Sequence, residues 1–446
     1  MKKAVLAAVV AAAALGGVIL AVVLSGGSGG DTSRGNPTTT GAQATTAQSG
    51  TTPATTSDST TRRETTTGRS TTSAAPAPPP PPRGPRARSF VLGTVDDSLA
   101  QRDPRFAQAQ ADVSRDAGFD AAVISAMWHP GERRPPASLV SVLRTVSTAL
   151  RKANMQLAVV VWHGLGRDTP QTPADRAAFA SWAASLMTDL PQVRYAIVGN
   201  EPNLSTFWKP QFGAGGSDLA ARAYADLLAR TYDAIKAARP NVQVLGGALS
   251  PRGGDRPGGT RPTHSPTTFI RDLGAAYRAS GRSRPLMDAF AFHPYMEASS
   301  DSPSAAHPQN TTITLADYPK LVALLEQAFR GTSQPGARLP IYYTEFGVQT
   351  AVPAAKRRFY SDLESPARTD SVSFGTQAAY YRRALQLAYC QPTVRGLFIF
   401  HTFDEADVGG WQSGLYFADR TPKPSLPAFK RAVADLREAK LGRCPR

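Results

Sequence analysis

The chain has 446 residues and a formal net charge of +16, and residues 1–88 contain nine Lys or Arg against three Asp or Glu, which leaves +10 on the remainder. Such a basic balance favours an acidic surface or polymer as a partner, or simply reflects an arginine-rich proteome. The charges are scattered and form no nucleic-acid motif, so the composition argues against a nucleic-acid-binding module.

The N-terminus combines a basic start with a long apolar run. Lys2 and Lys3 precede 21 residues without a charge, over 4–24. About 20 apolar residues are needed to cross a bilayer, whereas the core of a cleaved signal peptide spans about 7–15. We predict a membrane anchor over residues 1–24, with a cleaved signal peptide as the alternative. Either reading places the rest of the chain outside the cytoplasm.

Residues 25–88 consist largely of Thr, Ser, Gly and Pro. Large apolar side chains are almost absent, so burial cannot offset the entropy of ordering this segment. We predict a disordered linker that is stiffened near its end by a proline-rich run. The remaining residues, 89–446, suffice for one large domain.

From residue 89 onward, short apolar runs alternate with amphipathic stretches. Several runs are almost continuously apolar, as expected of parallel strands buried on both faces. The predicted strands cover 89–95, 120–128, 156–163, 194–200, 242–249, 287–295, 340–347 and 395–403.

Helical patterns occupy most of the gaps between these strands. Residues 138–153 space their apolar side chains by three and four, and 172–190 opens with Thr and Pro in the order typical of a helix start. Further helices are predicted over 217–241, 315–331, 376–390 and 426–440. Eight strand–helix units in about 350 residues indicate an α/β fold of the (β/α)8 TIM-barrel type. An open doubly wound sheet is the alternative, but the first strand lacks a Gly-rich phosphate turn.

Such barrels carry their chemistry at the C-terminal ends of the strands. Asn200 and Glu201 end predicted strand four, Tyr295 ends strand six and Glu345 ends strand seven. Most histidines and tryptophans lie at or just past strand ends as well: His129, His163, His293, His401, Trp128, Trp162, Trp208 and Trp411. Aromatic rings beside carboxylates suit sugars, which present flat C–H faces and many hydroxyls. Packing of these side chains over the barrel core is the alternative.

Two carboxylates can cleave a glycosidic bond with retention when they stand about 5–5.5 Å apart, one as acid and one as nucleophile. Glu201 and Glu345 meet this requirement if their strands face each other across the barrel mouth. The acid needs a raised pKa, which burial and the second carboxylate supply. A hydrogen bond from Tyr295 would keep the nucleophile ionised. Pro202 is expected to hold Glu201 in extended geometry.

The motifs NEP at strand four, HPY at strand six and TEFG at strand seven, in that order, resemble glycoside hydrolase clan A, the retaining TIM-barrel glycosidases. The resemblance covers residues 89–440, and the tail over 410–433 is similar to the last turn and helix of families 5 and 39. It implies that Glu201 is the acid/base, Asn200 the ligand of the sugar 2-hydroxyl and Glu345 the nucleophile. It also implies that His293 lies near the sugar, that Tyr295 lies against Glu345, and that no cofactor or metal is needed.

The chain departs from those families at other strand ends. Strands two and three end in Trp128–His129 and Trp162–His163 instead of the arginine and histidine pattern of many family 5 enzymes. Strand eight carries His401 and Phe403 where a tryptophan often forms the floor of the sugar site. Trp411 or Phe403 is expected to take that part, and all these side chains are candidate substrate-binding residues.

These observations predict a monomeric retaining glycoside hydrolase acting on an extracellular or cell-envelope polysaccharide or oligosaccharide. Two alternatives remain open. One is a catalytically silent carbohydrate-binding barrel at the cell surface. The other is a metal-dependent barrel hydrolase that uses the histidines and glutamates, although no His-x-His follows strand one. Cys390 and Cys444 are predicted to form a disulfide in an exported chain, with two free thiols as the alternative.

Overall fold

The computed structural model describes residues 90–365 and 368–444, which form a closed barrel of parallel strands. The strands are β1 (Val91–Val95), β2 (Ala121–Met127), β3 (Gln156–Trp162), β4 (Val193–Val198), β5 (Gln243–Leu249), β6 (Ala289–Phe292), β7 (Ile341–Phe346) and β8 (Val394–Phe400). They pair in sequence order, and β8 pairs with β1 to close the barrel. The predicted (β/α)8 barrel is confirmed, and the open doubly wound sheet is excluded.

Helices connect successive strands in the described part of the chain. They are α1 (Pro104–Ala117), α2 (Ala137–Lys152), α3 (Pro173–Asp189), α4 (Leu219–Ala238), α5 (Pro266–Ala279), α6 (Tyr318–Phe329), α7 (Phe374–Cys390) and, after β8, α8 (Leu426–Arg437). Two of them, α1 and α5, were not predicted. The buried face of α1 consists of alanines with Gln110 and Ser114, so its sequence lacks a clear apolar stripe.

Most of these helices begin after a side chain that accepts a hydrogen bond from the first turn. Asp103, Asp218, Ser265 and Ser373 cap α1, α4, α5 and α7 in this way. Thr172 caps α3 within a full capping box. These caps fix where each helix begins, and therefore how much chain remains in the loop that follows the preceding strand.

The core has two layers. The first lies between the strands and the helices, and the second fills the barrel with side chains that include Val95, Val123, Ile197, Leu245, Tyr342 and Phe398. Gly93 in β1 is needed for this filling, because a Cβ at that position would lie 2.1 Å from a ring carbon of Phe398. The barrel interior is therefore packed with side chains, and in such barrels ligands bind at the C-terminal ends of the strands.

Cys390 at the end of α7 forms a disulfide with Cys444, with Cα atoms 5.4 Å apart. The bridge joins the C-terminal tail to the helix before β8. Within residues 90–365 and 368–444, no helix is long and apolar enough to cross a membrane. The predicted anchor over 1–24 and the predicted linker over 25–88 lie outside the described residues.

Candidate active site

Most strands end earlier than predicted, so the polar groups of the mouth lie mainly on loops. β4 ends at Val198, β6 at Phe292 and β8 at Phe400, each two or three residues before the predicted end. Among the two candidate catalytic glutamates, Glu345 lies within its strand and Glu201 follows β4. The loops must therefore be held by specific contacts if the site is to be preorganised.

Glu201 has a φ of +40°, which is left-handed. The prediction that Pro202 holds it in extended geometry is wrong. Proline disfavours the right-handed helical region for the residue before it, but tertiary contacts here select the left-handed region instead. The Glu201 N–H donates to the carbonyl of Ala248 in β5 at 2.8 Å, and the Glu201 carbonyl accepts from the Leu204 N–H at 2.9 Å. The backbone at the glutamate is thus set by the neighbouring strand.

The Ala248 carbonyl, which accepts the hydrogen bond from the Glu201 N–H, lies in an irregular part of β5. Ala248 itself has a φ of +48°, and the register between β5 and β6 shifts between Gly247 and Leu249. Such bulges are a common way to re-aim groups beside active sites. Tyr224 of α4 supports both strand ends, because its hydroxyl donates to the Val198 carbonyl at 2.8 Å and accepts from the Gly247 N–H at 2.7 Å.

The two predicted carboxylates meet at one imidazole. His293 Nδ1 lies 3.2 Å from Glu201 Oε1 and 3.6 Å from Glu345 Oε2. The side chains are almost completely buried, with exposed fractions of 2% for His293, 9% for Glu201 and 14% for Glu345. The ends of β4, β6 and β7 therefore bring an acid–imidazole–acid cluster to the barrel mouth. The sequence had predicted that Glu201 and Glu345 face each other, but not that His293 lies between them.

The protonation of this cluster depends on burial and on its internal charges. Burial alone would lower the pKa of His293, but the negative charges of Glu345 and Glu201 outweigh it and raise that pKa. Burial and the charge of Glu201 raise the pKa of Glu345, while His293 and Tyr295 favour its ionised form. The Tyr295 hydroxyl donates to Glu345 Oε2 at 3.0 Å. Burial and both carboxylates hold the pKa of Tyr295 well above its usual range, so it remains a donor.

An aromatic wall stands beside the carboxylates. The Trp411 ring lies 5.1 Å from the Tyr295 ring and 5.3 Å from the Phe400 ring. Trp411 is buried, and its Nε1 has no hydrogen-bond partner among the described residues. Of the two side chains expected to replace a floor tryptophan, Trp411 therefore lies in the mouth. Sequence reasoning missed Phe400, which read as an ordinary core residue although it is the last residue of β8.

Phe403 is not part of this wall. Its ring packs on Tyr416 at 5.5 Å, and the Arg420 guanidinium lies 5.0 Å from its centroid. His401 follows a cis peptide bond after Phe400. Its Nδ1 lies against the Val95 carbonyl and its Nε2 is 3.3 Å from Glu405 Oε1. Burial opposes protonation, but Glu405 and Asp96 raise the pKa of His401 to about 9. His401 therefore fastens the loop after β8 to β1.

Only Trp162 of the strand-two and strand-three candidates points into the barrel. Residues 158 and 160 of β3 face the interior, so alternation places the Trp162 ring there as well. The Trp128 ring instead packs on Phe179 of α3 at 5.7 Å, outside the barrel. The structure therefore contradicts the prediction that Trp128 binds substrate. Alternate residues of β2 face the helices and not the barrel interior, and Trp128 continues that outward-facing set.

The two histidines that follow these strands also lie outside the acid–imidazole–acid cluster. His129 is exposed at the start of the loop after β2. His163 is buried, with Nε2 2.6 Å from the Phe207 carbonyl and its ring packed on Trp208 at 5.3 Å. Burial lowers the pKa of His163 to about 4, so it is neutral at physiological pH. It holds the loop after β4 in place.

Asn200 is partly exposed and directly precedes Glu201 in the loop after β4. The four strand-end histidines do not form one cluster, because His163, His293 and His401 each have different partners and His129 is exposed. Among the described residues, no group of three or more His, Cys, Asp or Glu side chains is arranged to hold a metal ion. Nothing in this donor arrangement favours the metal-dependent alternative.

The loops after β7 and β8 are joined beneath the mouth by a buried ion pair. Lys423 Nζ lies 2.7 Å from Asp404 Oδ1, and both side chains are inaccessible to solvent. Lys423 also donates to Thr350 Oγ1 at 2.9 Å, and the Tyr360 hydroxyl donates to Asp404 Oδ2 at 2.8 Å. This pair holds the loop that carries Trp411 against the loop that follows Glu345.

No family model and no curated protein matches this sequence, but solved structures resemble its fold. A GH5_18 protein from Bifidobacterium longum subsp. infantis has a TM-score of 0.52 at 14% identity, over 78% of this chain and 79% of that one. A GH5_18 protein from Streptomyces cattleya, in complex with Manb1-4GlcNAc, has a TM-score of 0.51 at 18% identity, over 80% and 83% of the two chains. The chain shares the barrel fold of these GH5_18 proteins. At such identities the likeness concerns the fold, and residue roles rest on the geometry above.

Proposed function

We propose that the protein is a retaining glycoside hydrolase that cleaves O-glycosidic bonds of a polysaccharide or oligosaccharide outside the cytoplasm. The observation that carries this proposal is the position of His293 Nδ1 between Glu201 and Glu345. Two buried carboxylates from opposite parts of a barrel mouth, with a tyrosine on one of them, supply an acid and a nucleophile at one place.

The spacing of the carboxylates supports retention. Because the same nitrogen lies within reach of both, their nearest oxygens are no more than about 7 Å apart, an upper limit that accommodates the separation of about 5–5.5 Å typical of retaining enzymes. Most of the range of about 6.5–9.5 Å found in inverting enzymes, which must fit a water between the carboxylates, lies beyond this limit.

The contacts assign different roles to the two glutamates. Tyr295 engages Oε2 of Glu345, and no other described hydrogen bond engages this carboxylate, so Oε1 is open to attack the anomeric carbon. As the bond from that carbon to the leaving oxygen breaks, protonated Glu201 gives its proton to the oxygen. A water then attacks the anomeric carbon, Glu201 takes the water's proton, and Glu345 is released. Asn200 would bind the 2-hydroxyl of the sugar.

The nucleophile must be ionised although burial raises the pKa of Glu345. His293, Tyr295 and His401 oppose the effect of burial on the pKa of Glu345, because each stabilises the negative charge. His293 also contacts Glu201, so this imidazole and the two carboxylates share their protons as one coupled system. Trp411, Phe400 and Trp162 would provide the apolar surfaces on which the sugar ring packs.

The proposed location rests on two features. The Cys390–Cys444 disulfide is typical of an oxidising compartment, and the apolar run over 4–24 is long enough for an anchor. A monomeric state remains a prediction. So does the disordered linker between the anchor and the barrel.

Hydrolysis of a panel of aryl glycosides and glycans by the full chain tests the proposal. Glu201→Gln and Glu345→Gln should each lower turnover by about 10²–10⁴-fold or more, while exposed Glu364→Gln serves as the matched control. Proton NMR of the first-formed product should show the anomer of the substrate. Glycan binding without turnover, in a folded wild-type protein, would instead favour the catalytically silent barrel.

A further inference from the structure

A partly buried arginine lies at the mouth outside the catalytic cluster. Arg252 follows β5 by three residues, and its Nη1 donates to the Met296 carbonyl in the loop after β6 at 3.0 Å. Burial lowers the pKa of Arg252, while the charges of Glu297 and Glu201 act in the opposite direction. The guanidinium is therefore partly removed from water and lies within the electrostatic reach of the proposed acid.

The backbone of Arg252 is tied to the segment that carries Glu201. Asn203, two residues after Glu201, is fully buried and donates from Nδ2 to the carbonyls of Ser250 at 3.3 Å and Arg252 at 3.4 Å. Its Oδ1 accepts from the Ser250 N–H at 3.0 Å. The loops after β4 and β5 thus form one unit, and Arg252 borders the side of the mouth on which Glu201 stands.

The acidic residues near Arg252 are engaged elsewhere. Glu297 accepts from the Thr312 hydroxyl at 3.3 Å, and Asp301 accepts from the Ala298 N–H at 2.9 Å. Asp370 accepts from the Ser299 N–H at 3.0 Å and from Arg368. Arg252 forms no salt bridge with a described carboxylate, and its contact with Met296 uses only one of its N–H donors.

The remaining N–H donors of this partly desolvated guanidinium are available to a ligand. Its planar fork matches the oxygens of a carboxylate or a sulfate, which it can bind through two parallel hydrogen bonds. Because Glu201 would protonate the leaving oxygen, a group beside Glu201 faces the sugar that leaves. We propose that Arg252 binds an anionic group on the leaving-group sugar, so that the substrate is an acidic glycan. The assignment to the leaving-group side rests on the proposed function.

Equilibrium titration of the full-length Glu345→Gln protein tests this without requiring turnover. The probes are oligogalacturonides, oligoglucuronans and oligomannuronates, each beside its carboxyl-reduced neutral form, and a sulfated oligosaccharide beside its desulfated form. At least one anionic probe should bind roughly tenfold or more tightly than its neutral counterpart, as a charge-assisted hydrogen bond implies. The pair that shows the preference identifies the anion as a uronate or a sulfate.

Arg252→Met, added to the same protein, should abolish the preference, and Arg252→Lys should keep part of it because lysine retains the charge but not the fork. Arg271→Met is the matched control, since Arg271 is exposed on α5. Circular dichroism checks folding, and Arg252→Gln replaces the methionine variant if that one does not fold. Equal binding of charged and neutral probes, or a preference that survives in the variant, would overturn the inference. Failure of aryl glycoside hydrolysis would overturn the proposed function alone.

Discussion

Removing the Tyr295 hydroxyl should shift the acidic limb of the pH–rate profile. Tyr295→Phe keeps the ring that packs on Trp411 and Phe400 but deletes the 3.0 Å hydrogen bond to Glu345 Oε2. That bond favours the ionised nucleophile, so its loss makes ionisation of Glu345 harder. A hydrogen bond to a charged group contributes about 1.5–3 kcal/mol, which corresponds to a rise of roughly 1–2 units in the pKa of the nucleophile.

The sign of the effect on activity follows directly. The proposed nucleophile, Glu345, can act only when ionised, so kcat/KM should fall as the pH drops through its pKa. In Tyr295→Phe this fall should begin roughly 1–2 units higher in pH, and activity should partly recover as the pH is raised. The assay is kcat/KM for the best aryl glycoside as a function of pH, which reports the free enzyme.

Tyr360→Phe provides the matched control. It also removes a tyrosine hydroxyl from a buried carboxylate, Asp404, but this carboxylate is bound to Lys423 beneath the loops. It should lower stability and leave the acidic limb in place. If Tyr295→Phe loses activity equally at every pH, the electrostatic argument is wrong and the hydroxyl acts through positioning.

Three further predictions concern stability. The pKa of His293 is raised in the folded state, so its stabilising contribution is fully present below the unfolded-state pKa and is lost as the pH rises through the folded-state pKa. In urea unfolding, the difference in stability between wild type and His293→Gln should therefore narrow with increasing pH. A constant difference would contradict this. Lys423→Met leaves Asp404 buried without its counter-charge and should cost about 3–5 kcal/mol, whereas the exposed pair of Lys430 predicts a loss of about 0–1 kcal/mol for Lys430→Met in the same urea series. Cys390→Ser opens a bridge that spans 54 residues and should lower the free energy of unfolding by about 2–4 kcal/mol; an unchanged midpoint in reducing and oxidising buffer would refute it.

The sequence was a good guide to the barrel and to which two carboxylates lie together at its mouth. Continuous apolar runs revealed all eight strands, because strands buried on both faces leave no other pattern. The ends were less predictable, since residues such as His293 and Tyr295 have side chains that also suit strands. Helix α1 was not predicted because its buried face consists of alanines and polar side chains and so lacks an apolar stripe.

The remaining errors have tertiary causes. The backbone of Glu201 is set by the hydrogen bond that its N–H donates to the Ala248 carbonyl and not by the local preference imposed by Pro202, and no short-range rule contains that bond. Trp128 and His163 were placed in the mouth because they follow strands, although strand parity turns them outward. Counting alternation from the interior residues of β2 and β3 would have separated them from Trp162.

The bulge at Ala248 couples two properties that are often treated as separable. The Ala248 carbonyl accepts the hydrogen bond from the Glu201 N–H, and the loop after β5 carries Ser250 and Arg252, whose carbonyls Asn203 binds from the loop after β4. The proposed proton donor and the residue proposed to recognise the departing sugar therefore share one backbone support. Substitutions in this segment that change the preference for the leaving group should alter kcat and KM together. Substitutions that alter only kcat or only KM should lie on other strands.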